Sequence, residues 1–311
     1  AEQSIGFTGL DGVRRRALVR VPAGSGRHRS VLVLPGLALP DRSTPVEGYL
    51  SSIAKALADV GVAAVQWVPR WSGDGATPLE RLDWYSEIDD AVAALQWLQE
   101  QSWADPAEVF LLGVSLGGVA APLVAQRGRG VAGIASWAAT ARPWVKYAVA
   151  TLRHQLLWRG LPTQMVAQAV AASEWWHGHL RDTDLDAGEL LAANPEIAGV
   201  EVTRDGCMGR PTAFWRQLCR HDPVAAYRGL SCRICTVRGS ADFAAHPADQ
   251  QAIVDAAKQA ELPVAAFTLE GLDHLLRPAD SPQQAFRGRV HGGPRYQQLA
   301  EVISGWMDAG R

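Results

Sequence analysis

The sequence predicts an α/β protein with a mostly parallel sheet, helices on both faces, and a helical cap insertion at 139–230. Three observations lead there. Short apolar runs alternate with stretches of helical periodicity at a spacing that suits βαβ crossovers. One strand–helix junction reads Gly113-Val114-Ser115-Leu116-Gly117. The alternation stops across 139–230 and then resumes.

In chain order, Val13–Val21 alternates polar and apolar residues like a half-buried strand, and Ser30–Pro35 is a short apolar run ending in Pro-Gly. Gly48–Val60 sets Leu50, Ile53, Ala54 and Leu57 at helical spacing and stops at Gly61. Val62–Val68 is β-branched and apolar. Leu79–Gln101 is a long helical pattern with Ile88, Val92, Leu95 and Leu98 on one face. Val109–Val114 is a buried strand, Leu116–Arg127 a helix and Val131–Trp137 another buried strand. Ala139–Leu230 then holds helical segments and no convincing strand. The pattern resumes with a strand at Cys232–Arg238, a helix at Pro247–Ala260, a strand at Val264–Leu269 and a last helix at Pro294–Asp308. The expected organisation is therefore a core of residues 1–138 and 231–311, with 139–230 as a helical cap over the strand ends.

Composition narrows the function. The 311 residues carry a formal net charge of −2, with 48% hydrophobic and 20% charged residues. That excludes a disordered or fibrous chain, and the length can bury a substantial core. The near-neutral balance argues against a dedicated nucleic-acid binder. Lysine occurs only at 55, 146 and 258, and the arginines are spread along the chain, so the bias reads as codon usage. No apolar run approaches the ~20 residues that span a bilayer. The chain opens Ala1-Glu2-Gln3-Ser4 without an apolar leader. A cytoplasmic protein is expected, or a secreted or periplasmic one if a leader has been removed. Four cysteines do not make a disulfide scaffold in a chain this long.

The Gly-x-Ser-x-Gly junction carries the chemistry. A strand that turns straight into a helix leaves no room for side chains at the flanking positions, and Gly113 and Gly117 meet that need. Gly118 lets the helix approach the sheet. Ser115 then sits in strained backbone with its hydroxyl lifted above the sheet and facing a helix N-terminus. A dinucleotide loop is the competing reading, but Ser115 stands where that fingerprint needs its second glycine.

A serine hydroxyl needs a general base, usually a histidine steered by a carboxylate. In this topology the partners follow in the order Ser, Asp or Glu, His, each after a later strand. The strand Cys232–Arg238 runs into Gly239-Ser240-Ala241-Asp242, and Val264–Leu269 runs into Glu270-Gly271-Leu272-Asp273-His274. Ser115, Asp242 and His274 thus all fall at strand C-terminal ends, where open α/β sheets build their sites. Asp273 is the runner-up acid, although it would have to fold back on its neighbour. The other histidines lie too early, in the insertion, or in loops away from a strand end. The oxyanion hole should use the Leu116 amide and one from the loop after Pro35-Gly36, with Leu37 the first choice and Ala38 the alternative.

These residues resemble the α/β-hydrolase superfamily, and within it the bacterial esterases related to dienelactone hydrolases and prolyl-oligopeptidase catalytic domains. The matching segments are Gly36…Asp41-Arg42, Ile53–Leu57 before Gly61, and Asp105-Pro106 leading into Val109–Gly113. Ser115–Gly118 with Ala121-Pro122, Asp222-Pro223 before Gly239–Asp242, and Gly271–Leu275 complete them. The resemblance covers nearly all of the chain outside the insertion. It implies a cofactor-free serine acyl-enzyme mechanism. Two positions depart from the pattern: Val114 stands where the family usually has His or Gln, and 68–75 replaces an Asp-x-Arg-Gly-x-Gly loop. Trp71 in that loop is expected to shape one pocket wall.

Trp137, Trp144, Trp158, Trp175, Trp176 and Trp215 fall in or beside the insertion. They read as packing between cap and sheet, or as a hydrophobic wall above Ser115, with Trp137 and Trp144 as the wall residues. Arg142, Lys146 and Arg153 recur at helical spacing, followed by Arg159, as a solvated face or a guide for an anionic substrate. Cys232-Arg233-Ile234-Cys235 is expected to bind no metal, because residues three apart on a strand point to opposite faces. His177-Gly178-His179, with Asp182 and Asp184, could bind a metal but lacks a second cluster and reads as a polar loop. The expected activity is cleavage of a small-molecule carboxylic ester. A thioesterase, lactonase or acyltransferase would use the same parts, and a non-catalytic ligand receptor is the alternative outside enzymes.

Overall fold

The structure is a computed structural model that describes residues 2–37, 46–69, 77–78 and 81–309. The elements run β1 (Glu2–Thr8), β2 (Arg14–Arg20), β3 (His28–Leu34), α1 (Val46–Asp59), β4 (Ala63–Trp67), α2 (Trp84–Gln99), β5 (Ala104–Val114), α3 (Leu116–Gly128) and β6 (Gly133–Trp137). An insertion follows, with α4 (Trp144–Arg159), α5 (Thr163–Asp182), α6 (Ala187–Ala193), a 3-10 turn at Pro195–Val200, then β7 (Val202–Thr203), β8 (Gly206–Cys207), β9 (Arg210–Pro211), α7 (Thr212–Arg220) and α8 (Pro223–Arg228). The chain closes with β10 (Arg233–Gly239), α9 (Pro247–Gln259), β11 (Val264–Leu269), α10 (Pro282–Phe286) and α11 (Tyr296–Asp308).

Eight strands form the main sheet in the order β1-β2-β4-β3-β5-β6-β10-β11. β2 pairs antiparallel with both β1 and β4, and every other pairing is parallel. The expected mostly parallel sheet is therefore present. β1 was not anticipated: it completes a hairpin on β2 with Gly12 at φ +76° in the turn.

Alternation along each central strand builds two cores. Leu32, Leu34, Val109, Leu111 and Ile134 face α2 and α3. Val31, Val33, Phe110, Leu112, Ala135 and Trp137 face α1 and α11. Cys232 joins the first layer and Cys235 the second, so the two thiols stand on opposite sides, and burial raises them to about 11 and about 12.

The insertion is not purely helical. β7, β8 and β9 form a small antiparallel ribbon whose strands are too short to leave a periodic signature in sequence. Its aromatic residues continue the α2–α3 core: Trp176 is fully buried, and Trp144 packs against Trp215 at 5.9 Å between ring centroids. The Trp215 indole donates to the Cys207 carbonyl at 2.8 Å and so ties the ribbon to α7. Leu156, Val166 and Val170 make a smaller cluster between α4 and α5. Arg142, read as part of a basic face, donates to Asp249 of α9 at 3.2 Å and so fastens the start of the insertion to the core. Among the described residues no helix is long and apolar enough to cross a membrane.

Trp215→Ala should leave a cavity at this junction and remove the indole bond to the Cys207 carbonyl. The expected cost is about 3–5 kcal/mol, read as a lower urea midpoint at an unchanged m-value. A shift within experimental error would mean that the insertion is not packed as described.

Candidate active site

The β5–α3 junction is as tight as the sequence implies. β5 ends at Val114 and α3 begins at Leu116, leaving Ser115 alone at φ 52°, ψ −117°. A side chain in that region is strained, and such strain clusters at functional sites. The glycines are sterically required. A Cβ on Gly113 would lie 2.4 Å from the Gly118 Cα, one on Gly117 2.3 Å from the Leu34 carbonyl oxygen, and one on Gly118 2.4 Å from the Ala139 Cβ. The Ser115 amide donates to the Trp137 carbonyl at 2.8 Å, which carries the β5–β6 pairing into the turn.

Asp242 and His274 meet beyond the ends of β10 and β11. The His274 Nδ1 lies 2.9 Å from Asp242 Oδ1 and 3.1 Å from Oδ2. Asp242 is 1% exposed, and its Oδ1 also accepts from the Ala244 and Ala245 amides at 2.8 Å each. Those amides hold the carboxylate aimed at the ring. Burial alone would lower the His274 pKa, but the Asp242 charge and hydrogen bond, with Asp273 behind them, reverse this, and the net direction is up from 6.5. Among the described residues no hydrogen bond joins Ser115 Oγ to His274 Nε2.

Asp273 is fully buried and serves its own turn. It accepts from the Leu275 and Arg277 amides at 2.9 and 2.8 Å and from the Arg277 guanidinium at 2.9 and 2.8 Å. The His274 ring bonds to Asp242, not to its neighbour in sequence.

Trp137 also acts on this turn. Its side chain is wholly buried on the α1–α11 side of the sheet, and its indole N–H donates to the His274 carbonyl at 3.0 Å. One residue thus holds the Ser115 segment by its backbone and the His274 segment by its side chain. Sequence reading missed this role, because nothing local links an indole to a carbonyl 137 residues away. Trp144, the other expected wall residue, is 9% exposed and packs on Tyr147 and Trp215. Trp71 and Ala38 lie outside the described residues.

Leu116 is the first residue of α3, where an amide has no carbonyl a turn earlier to bond to. Gly36 stands across from it: a Cβ there would be 3.2 Å from the Ser115 Cβ and 3.8 Å from Oγ. Glycine here lets this segment, with Leu37 next, pass the serine without a tight side-chain contact. Beside it lies a cavity of about 30 Å³ between the end of β3, α2 and α3, bordered by Gly36, Leu116 and Gly117.

Four other histidines bond to groups away from Ser115. His177 and His179 on α5 bond through Nδ1 to the carbonyls of Ser173 and Trp175, each at 2.8 Å. Burial lowers His177 to about 4. His154 and His246 bond to each other at 3.1 Å across α4 and the start of α9.

Residues 31–289 match the model of the alpha/beta hydrolase family. That is most of the chain, and the protein belongs to this family, a hydrolase by that membership. Among solved structures, the esterase domain of a Rhodothermus marinus protein has a TM-score of 0.56 at 20% identity, covering 98% of this chain and 97% of that one. Est1E from Butyrivibrio proteoclasticus, with ferulic acid bound, has a TM-score of 0.60 at 14% identity and 97% coverage of both chains. A puromycin-hydrolyzing peptidase from Mycobacterium tuberculosis has a TM-score of 0.61 at 16% identity, covering 98% of this chain but only 39% of that one. At such identities the likeness is one of fold. The sequence matches none of the curated proteins.

An NMR titration should place the His274 pKa above 6.5, and Asp242→Asn should lower it. Because the folded-state pKa is raised, the His274–Asp242 attraction stabilises the fold fully below the unfolded pKa and is lost as pH rises through the folded value. An unchanged His274 pKa in Asp242→Asn would contradict the assigned cause. Gly113→Ala should lower the thermal midpoint sharply, since its Cβ meets backbone and not a movable side chain; a wild-type midpoint would refute the packing of the turn.

Proposed function

We propose that the protein is a serine hydrolase that cleaves carboxylic esters through an acyl-enzyme, with Ser115 as nucleophile, His274 as general base and Asp242 as the acid that orients it. The observation that carries this reading is a strained serine at a strand–helix turn, Ser115 at φ 52°, in a fold whose later loops pair a buried aspartate with a histidine. The esterase names among the similar folds favour an ester over other acyl substrates.

In the first half-reaction His274 Nε2 takes the Ser115 proton as Oγ bonds to the ester carbonyl carbon. The carbonyl oxygen becomes an oxyanion facing the Leu116 and Leu37 amides. The C–O bond to the alcohol then breaks, and the alcohol leaves with the proton from His274. Water repeats the sequence: it gives a proton to His274, attacks the acyl carbon, and releases the acid as Ser115 recovers its proton. On this reading the Ser115–His274 hydrogen bond forms when substrate fills the site, as catalytic hydrogen bonds commonly tighten in the complex. Residues 139–230 act as a cap over this site. No cofactor is needed. A thioesterase, lactonase or acyltransferase would share every step except the leaving group or the final acceptor.

Ser115→Ala should leave the fold intact and reduce kcat on the order of 10⁶-fold, with labelling by a fluorophosphonate abolished. Residual turnover above about a tenth of wild type would defeat the assignment. Asp242→Asn should lower kcat by ~10⁴ by presenting the wrong imidazole tautomer. Asp273→Asn should act mainly on stability through its turn. If Asp273→Asn has the larger effect on the folded enzyme's kcat, the orienting acid is misassigned.

A further inference from the structure

We infer that the cavity beside Gly36 and Leu116 is the acyl-binding site and that it selects short aliphatic acyl groups, of about two to four carbons. This rests on the serine-hydrolase reading above and adds its substrate class.

The position comes first. The cavity is bordered by Gly36, Leu116 and Gly117, the same short segments that flank Ser115 and supply the oxyanion amides. A carbonyl carbon bonded to Oγ, with its oxygen on those amides, therefore has its acyl tail at the mouth of this space. The opposite walls are Trp67 at the end of β4, Trp84 and Ile88 on α2, and Ala120 on α3. An alkyl tail gains by leaving water for such a surface.

Size and rigidity set the limit. A water-sized particle needs roughly 10–15 Å³ by the same measure, so a cavity of about 30 Å³ takes at most two or three heavy atoms beyond the carbonyl, which makes about four carbons the upper limit. The walls do not recede easily. Trp84 and Ile88 are 1% and 2% exposed and packed in the α2–α3 core. On the near side the Leu34 carbonyl closes on Gly117. Glu87 also borders the cavity, but its carboxylate is paired with buried Arg210 from β9. The carboxylate's charge is thus answered within the protein, and the recognition left to the site is of a small apolar group. The pair also sets Arg210 of the insertion against the α2 wall, so the insertion braces the cavity from outside.

The test is an acyl-length series of p-nitrophenyl esters, from acetate to decanoate, with fluorophosphonate labelling run in parallel. We expect kcat/KM to peak between acetate and butyrate and to fall about tenfold or more by octanoate, the scale of misplaced methylenes in an apolar pocket. Ile88→Ala should move the peak to longer chains, and Ala120→Val should move it toward acetate. The milder Ile88→Val covers the case in which Ile88→Ala does not fold, with circular dichroism and thermal midpoints confirming the fold of each variant. A flat profile, a rise toward decanoate, or an unmoved peak in the folded variants overturns the inference while leaving the serine mechanism standing. Absence of labelling in the wild-type protein overturns the serine mechanism itself, and the acyl site with it.

Discussion

A helix can begin one residue after a strand ends only where hydrogen atoms alone fill the space between the two backbones. At the β5–α3 junction that condition falls on Gly113, Gly117 and Gly118, whose added Cβ atoms would each come within 2.4 Å of a neighbour. The rest of the site depends on this crossing. It lifts Ser115 out of the strand at positive φ, starts α3 at Leu116, and brings the Leu34–Leu37 segment against the helix. No single favourable contact creates the arrangement; the absence of side chains permits it, and the packing of β3, β5 and β6 around it keeps it from relaxing.

The second tier is polar and long-range. The loops that hold Asp242 and His274 lie outside the sheet, so their backbone groups are satisfied by a bridge between Leu272 and Pro278, by turns and by side chains. Asp242 gathers the Ala244 and Ala245 amides, Asp273 gathers the Leu275 and Arg277 amides, and the Trp137 indole takes the His274 carbonyl. Each such bond is worth about 0.5–1.5 kcal/mol net, and more is lost when a buried partner is stranded. Their larger effect is on precision, because together they leave the imidazole few orientations. Two buried aspartates thus divide the labour: Asp242 holds the ring, and Asp273 builds the turn that carries it.

The insertion extends the α2–α3 core instead of standing apart from it. Trp144, Trp176 and Trp215 are packed continuously with residues of the sheet side, and Arg142 and Arg210 each reach an acid of the core. The tryptophan cluster is therefore chiefly cohesive. That packing also surrounds Trp84 and Ile88 of α2, which border the cavity beside Gly36, with buried side chains on their far side.

What the sequence determined by itself was whatever depends on local pattern. Periods of two and of 3.6 residues marked most strands and helices of the sheet domain, because apolar faces must repeat at those intervals to be buried. The glycine-flanked Ser115 and the strand-end positions of Asp242 and His274 were legible for the same reason: neighbours in the chain impose them. β1, the β7–β9 ribbon and α10 were not legible, since short or edge elements are held by pairing and leave little periodicity. Spacing favoured Asp242 over Asp273, but it could not show which carboxylate the His274 ring bonds to, or move Trp137 from a pocket wall to the back of the His274 turn. Those were decided by the sheet order, which sets β10 between β6 and β11 and so brings residues far apart in sequence within hydrogen-bond reach. A hydrogen bond acts over about 3 Å of space, and only the tertiary fold converts distance along the chain into distance of that kind.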